Sequence, residues 1–122
     1  MHFQPGMAKL IRCPRGTIFD VLVDIRPGSA TFGEWESFEL SDANHLQLYC
    51  PDGFGHGFCV LSDVADVMYS CSDYYDSDRE SGFAYDDPEV GIEWPTGIEF
   101  LASPRDSAAP PLSDLALTRA AK

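Results

Sequence analysis

The chain has 122 residues, 44% hydrophobic and 23% charged, which is the composition of one globular domain and excludes a disordered segment. Eight Lys and Arg against twenty Asp and Glu leave a net charge of −12, so a phosphate backbone would repel the chain and nucleic acid is excluded as a main partner. No apolar run reaches the length of a membrane span and no charged-then-apolar signal layout opens the chain, so the expected location is the cytoplasm.

In chain order, "MHFQPGMA" places His2 and Gln4 around a Pro-Gly turn. "KLIRC" (9–13) and "TIFDVLVDIR" (17–26) are rich in β-branched and apolar residues and predict strands, with Pro14-Arg15-Gly16 as the turn between them. In the second strand Phe19, Val21, Val23 and Ile25 share one face, and Asp20, Leu22 and Asp24 the other. "RPGSATFG" (26–33) is a loop, "EWESFEL" (34–40) alternates, "SDAN" (41–44) turns, and "LQLYC" (46–50) predicts a strand. A Gly-rich corner, "PDGFGHGFCVL", runs into another strand, and "VADVMYSC" (64–71) follows. From Ser72 to Pro95 the chain is acidic and loop-like, and a brief "GIEFL" (97–101) precedes a Ser/Ala/Pro-rich tail. Six or seven short strands with Gly and Pro turns predict a single all-β barrel or sandwich over 1–122, and a jelly roll closing around a pocket fits the length.

Few residues stand out for chemistry. Cys13, Cys50, Cys59 and Cys71 form no CxxC pair and read as core thiols, and the three histidines include no HxH pair, which disfavours a metal centre. His45 sits in a polar turn and reads as a solvated surface residue. For His56, between two glycines, a structural histidine and a ligand contact are equally open. Tyr69 reads as a core tyrosine, and Asp106 as a helix N-cap or turn residue. Tyr74 and Tyr75, among acids, could stack on a ring or fold back on the core.

Several long blocks carry a resemblance: "HFQ" with "KLIRCPRGTIFDVLVDIRPGSATFGEW", then "ELSDANHLQLYCPDGFGHGFCVLSD", "VMYSCSDYYDSDRESG", "DDPEVGIEWP" and "LASPRDSAAPPLSD". In this order, over almost all of 2–115, they resemble the dTDP-4-dehydrorhamnose 3,5-epimerase family. The resemblance implies a cupin-type jelly roll, a homodimer, no metal or cofactor, and a dTDP-4-keto-6-deoxy sugar inverted at both carbons beside its ketone, on the route to dTDP-L-rhamnose. It implies His2 as the base, Asp106 as its paired carboxylate, Tyr69 as the acid on the opposite face, and Lys9 as the cation near the developing oxyanion. Tyr75 matches a residue stacked on thymine; His56, Glu80 and Arg105 match substrate contacts, and Gln4 and Asp20 the same pocket region. Arg105 stands where a lysine is often found, and His45-Leu46 where a basic pair is common.

The family carries further chain ahead of the histidine, so the resemblance is to an N-terminally shortened member, with residues 116–122 expected as a flexible tail. Two alternatives stay open: an epimerase acting at one carbon, and a silent fragment that binds a dTDP-sugar weakly.

Overall fold

The computed structural model describes residues 1–115, and the tail expected over 116–122 lies outside them. Eight strands and one short helix are formed: β1 (His2–Phe3), β2 (Lys9–Arg15), β3 (Thr17–Asp24), β4 (Trp35–Ser41), β5 (Gln47–Cys50), β6 (Phe54–Val60), β7 (Asp66–Cys71), β8 (Ser81–Gly82) and α1 (Pro104–Ser107). They make two antiparallel sheets, β4-β3-β6-β1-β8 and β5-β2-β7. The result is the expected jelly roll.

Six of the six or seven predicted strands form, the brief 97–101 segment forms none, and β1 and β8 are additions. Each addition is two residues long, too short to show a period, and exists only because β1 is laid between β6 and β8. The Pro14–Gly16 turn is narrower than expected. β2 runs through Pro14 to Arg15 with an irregularity between Arg12 and Arg15, and the chain changes sheet at Gly16. Gly16 has φ of +86°, and a Cβ there would fall 2.2 Å from the Val64 carbonyl oxygen, so only glycine fits this corner.

β3 is buried on both faces, which splits the apolar core in two. Val21, Val23 and Ile25 pack with Met1, Phe3, Phe83, Val90 and Leu112, so the segment after β8 covers the outside of the large sheet. Ile18 faces the other way and packs between the sheets with Ile11, Cys13, Leu40 and Cys50. Three of the cysteines are buried as expected. Cys71 is not: it lies at the end of β7 and is exposed, a correction to its reading as a core thiol. Among the described residues all four are free, and no helix is long and apolar enough to cross a membrane.

Candidate active site

His2 gathers the polar side chains. Its strand is fixed by register, with His2 opposite His56 on β6 and opposite Gly82 on β8. The imidazole stands between two carboxylates: Nε2 lies 2.6 Å from Asp106 Oδ1 and Nδ1 2.9 Å from Glu80 Oε1. Arg105 Nη2 reaches the same Glu80 oxygen at 2.9 Å. Arg105 also bonds the side chain of Tyr75, and that contact, with the Glu80 charge, holds its guanidinium pKa above the ordinary value.

Local chemistry explains how Asp106 arrives there. Ser103 is the N-cap of α1, accepting from the Asp106 backbone N–H at 3.1 Å, and Pro104 opens the helix. Asp106 is therefore not the cap, which corrects the bland reading of that residue; the Ser-Pro pair was the legible capping signal. Its carboxylate is left free to turn toward His2.

A second histidine–carboxylate pair is deeper. His56 Nε2 bonds Asp20 Oδ1 across the β3–β6 ladder, and both side chains are buried. The second oxygen, Asp20 Oδ2, has no hydrogen-bond partner among the described residues. The glycines flanking His56 make room for protein. A Cβ on Gly55 would lie 2.7 Å from the Phe83 ring, and one on Gly57 2.5 Å from Met1 Sδ.

Tyr69 comes from the opposite sheet. Its ring meets the edge of His56 at 5.8 Å, and the Lys9 ammonium stands 5.7 Å from its centroid. Expected as a core residue, Tyr69 is instead 46% exposed, because its ring borders an open cavity. Desolvation of the phenol, then the negative charges at Asp20 and Cys71, push its pKa up to about 12.

His2, His56, Tyr69 and Asp106 all line this cavity of about 970 Å3, whose apolar walls include Phe58 and Trp94. A smaller cavity of about 380 Å3 shares His2 and Asp106 and adds Arg105. Lys9, Gln4, Asp20, Tyr75 and Glu80 line neither. Gln4 is buried and spends its amide on the loop after β7, donating to the Tyr74 carbonyl and accepting from the Asp76 N–H, each at 2.9 Å. Arg79, which carries no motif of its own, adds a 2.7 Å bond to the Pro5 carbonyl and clamps the same loop. Tyr74 and Tyr75 are exposed, so neither folds back on the core. His45 is exposed in its turn, as expected. Among the described residues no group of three His, Cys, Asp or Glu side chains is placed to hold a metal ion. The arrangement offers an imidazole and a phenol on one cavity, each beside charged partners, which is equipment for moving protons.

The family model described as dTDP-4-dehydrorhamnose 3,5-epimerase matches residues 1–114. The enzyme of that name from Escherichia coli is 42% identical over 118 residues, covering 94% of this chain and 64% of the relative. A dTDP-4-dehydrorhamnose 3-epimerase from Streptomyces niveus is 47% identical over 112 residues, 89% of this chain and 54% of the relative. The crystal structure of a Legionella pneumophila dTDP-6-deoxy-D-glucose-3,5-epimerase, in complex with dTDP-4-keto-L-rhamnose, superposes with a TM-score of 0.89 at 46% identity, covering 92% of this chain and 61% of that one. The chain thus spans under two thirds of the length of each of these relatives. A match over nearly every described residue, carried by the same jelly roll, places this chain in the dTDP-4-dehydrorhamnose 3,5-epimerase family.

Proposed function

We propose that the chain is a sugar-nucleotide epimerase that converts dTDP-4-dehydro-6-deoxy-D-glucose to dTDP-4-dehydro-L-rhamnose by inverting C3 and C5. The observation that carries this is the meeting of His2 and Tyr69, from different sheets, on one cavity. His2 removes the proton beside the ketone, and the bond's electrons pass to the enolate oxygen. The carboxylates beside the imidazole stabilise the imidazolium that results. Tyr69 returns a proton to the opposite face. With its pKa near 12 the phenol is protonated at pH 7, and an enolate carbon is basic enough to take that proton. Lys9, 5.7 Å from the centre of the Tyr69 ring and outside the cavity lining, adds positive potential on that side for the oxyanion.

The substrate, a dTDP-sugar, is supported by family membership and by Arg105 on the smaller cavity, a cation suited to a diphosphate. A homodimer is supported by the exposed face of the small sheet, where Leu10, Tyr49 and Met68 lie open. A cytoplasmic location is supported by the free thiols.

The test is proton NMR of the keto sugar in heavy water. Loss of both signals beside the ketone, slowed about a hundredfold or more by Tyr69→Phe, is the expected result; intact signals under wild-type protein would refute the proposal. The Streptomyces niveus relative, a 3-epimerase of comparable identity, favours a second reading in which only the C3 signal is lost. The same spectra separate the two.

A further inference from the structure

We propose that Gln4 is a positioning residue for the nucleotide end of the substrate: its side-chain amide brackets Tyr75 and sets the ring that receives a flat base. This rests on the epimerase reading above and deepens it. The resemblance puts Gln4 in the pocket region, whereas the structure leaves it off both cavities and turns its amide to the loop after β7.

Three observations support the assignment. First, both ends of the amide are spent on the two neighbours of Tyr75. Nε2 donates to the Tyr74 carbonyl and Oε1 accepts from the Asp76 N–H, each at 2.9 Å. A parallel strand would bracket residue 75 with the same two bonds, yet residues 74–76 belong to no strand. One partner needs a donor and the other an acceptor, so they also fix which way the amide faces. Second, Tyr75 depends on this support. It is 63% exposed, so core packing does not hold it, and its side chain is bonded to Arg105, which lines the smaller cavity. An open ring tied to a cation suited to a diphosphate is a seat for a nucleobase, because aromatic faces attract by offset stacking. Third, Gln4 is itself well fixed. It is buried two residues beyond His2 and opens a tight turn, in which the Met7 N–H donates to its carbonyl at 3.1 Å. Pro5 and Gly6, the latter with φ of +85°, suit the two central positions of that turn. Asp52 pins it by accepting from the Gly6 N–H at 3.0 Å.

The consequence is a set spacing between chemistry and recognition. His2, opposite His56 and Gly82 in the ladder, lies on the same short piece of chain as Gln4, so the base and the Tyr75 ring are placed from one anchor. Gln4 lines neither cavity and acts through Tyr75 rather than on the sugar. Its task also differs from that of Arg79. The loop is tied near its start by two bonds between Ser72 and Ala8, and near its end by Arg79 on the Pro5 carbonyl. With Gln4 altered these ties remain, and the loop stays attached while Tyr75 loses its bracket.

The experiment compares wild type with Gln4→Glu, which keeps size and the acceptor but sets a carboxylate oxygen against the Tyr74 carbonyl. Gln4→Met, of similar length and without either bond, is the second variant, and thermal unfolding reports whether each folds. Turnover of the keto sugar and calorimetric titration with dTDP are read in the parental and Tyr75→Ala backgrounds. The expected result is a KM raised and a dTDP affinity lowered about tenfold, with kcat within about threefold of wild type. In the Tyr75→Ala background the same Gln4 change alters dTDP affinity by less than about twofold, because the ring it positions is gone. Parental dTDP affinity in a folded Gln4 variant would overturn the proposal. So would an equal loss with and without Tyr75, or two variants that do not fold, since either marks a merely structural role. A fall in kcat with KM unchanged would overturn it by tying Gln4 to His2 instead. A wild type that binds dTDP but exchanges no substrate proton overturns the epimerase reading alone, and the titrations still decide the role of Gln4. A wild type that binds no dTDP overturns the proposal itself.

Discussion

Gly82→Ala tests whether the backbone ladder sets the position of the base. Gly82 is the register partner of His2, and a Cβ added there would lie 2.7 Å from the Met1 carbonyl oxygen and 3.8 Å from His2 Nδ1. Ordinary contact begins near 3.4 Å, so the two strands must part by about 0.7 Å. The obstacle is backbone and cannot be relieved by turning a side chain. β1 has only two residues and is held on its other side by β6, so it cannot absorb the shift by bending alone. Overpacking of this kind costs about 1–3 kcal/mol, equivalent to a fall in Tm of several degrees for a domain of this size. The effect on chemistry is the sharper test, because displacement of a catalytic group by about 1 Å can cost a hundredfold in rate. Thermal unfolding and deuterium wash-in on the same preparation read both quantities. A variant with parental Tm and parental exchange rate would show that the ladder does not position His2, and the reasoning would fail.

Two further outcomes follow from the packing. Asp24 is buried and accepts bonds from Arg26, Ser29 and Thr31, which hold its carboxyl well below the usual carboxylate range. A depressed folded pKa gives stability that is present above the unfolded value near 3.9 and lost as pH falls through the folded one. Asp24→Asn should therefore cost roughly 2 kcal/mol in urea melts at pH 7 and progressively less below pH 4, and a pH-independent difference would refute this. Phe83 has no exposed surface and fills the space opposite Gly55, so Phe83→Ala should lose about 3–5 kcal/mol of unfolding free energy. A loss under 1 kcal/mol would show that the segment after β8 does not seal the core.

Residues whose pattern repeats were legible, and those whose place depends on a distant partner were not. β3 announces itself by alternation from Phe19 to Ile25, and the structure forms it from Thr17 to Asp24. The same alternation cannot say that both faces are covered. That follows from Ile11 arriving from β2 on one side and Phe83 from beyond β8 on the other. Tyr69 has the sequence context of a core tyrosine, and it is half exposed because the cavity it borders is built from widely separated stretches of chain. For His2, Asp106 and Glu80 the residue pattern alone is silent. Sequence separations of 78 and 104 residues between bonded partners leave no local signature. The resemblance brought these three together, while the contacts of Gln4 with the loop after β7 became visible only in the fold.

The placement of positive charge joins these findings. In a chain of net charge −12, a cation near the site must be fixed by something, or it is drawn to the nearest acid. Arg26 is taken up by Asp24, and Arg79 by Asp73 and the Pro5 carbonyl, so both serve loops. Arg105 is shared between Tyr75 and Glu80, and among the described Lys and Arg side chains it alone lines one of the two cavities described. A point charge would settle on one of these partners, whereas the planar fork of a guanidinium can hold both and still present a face to an anion. The same oxygen of Glu80 that receives Arg105 receives His2. The Arg105 guanidinium is therefore joined to the His2 imidazole through one carboxylate oxygen.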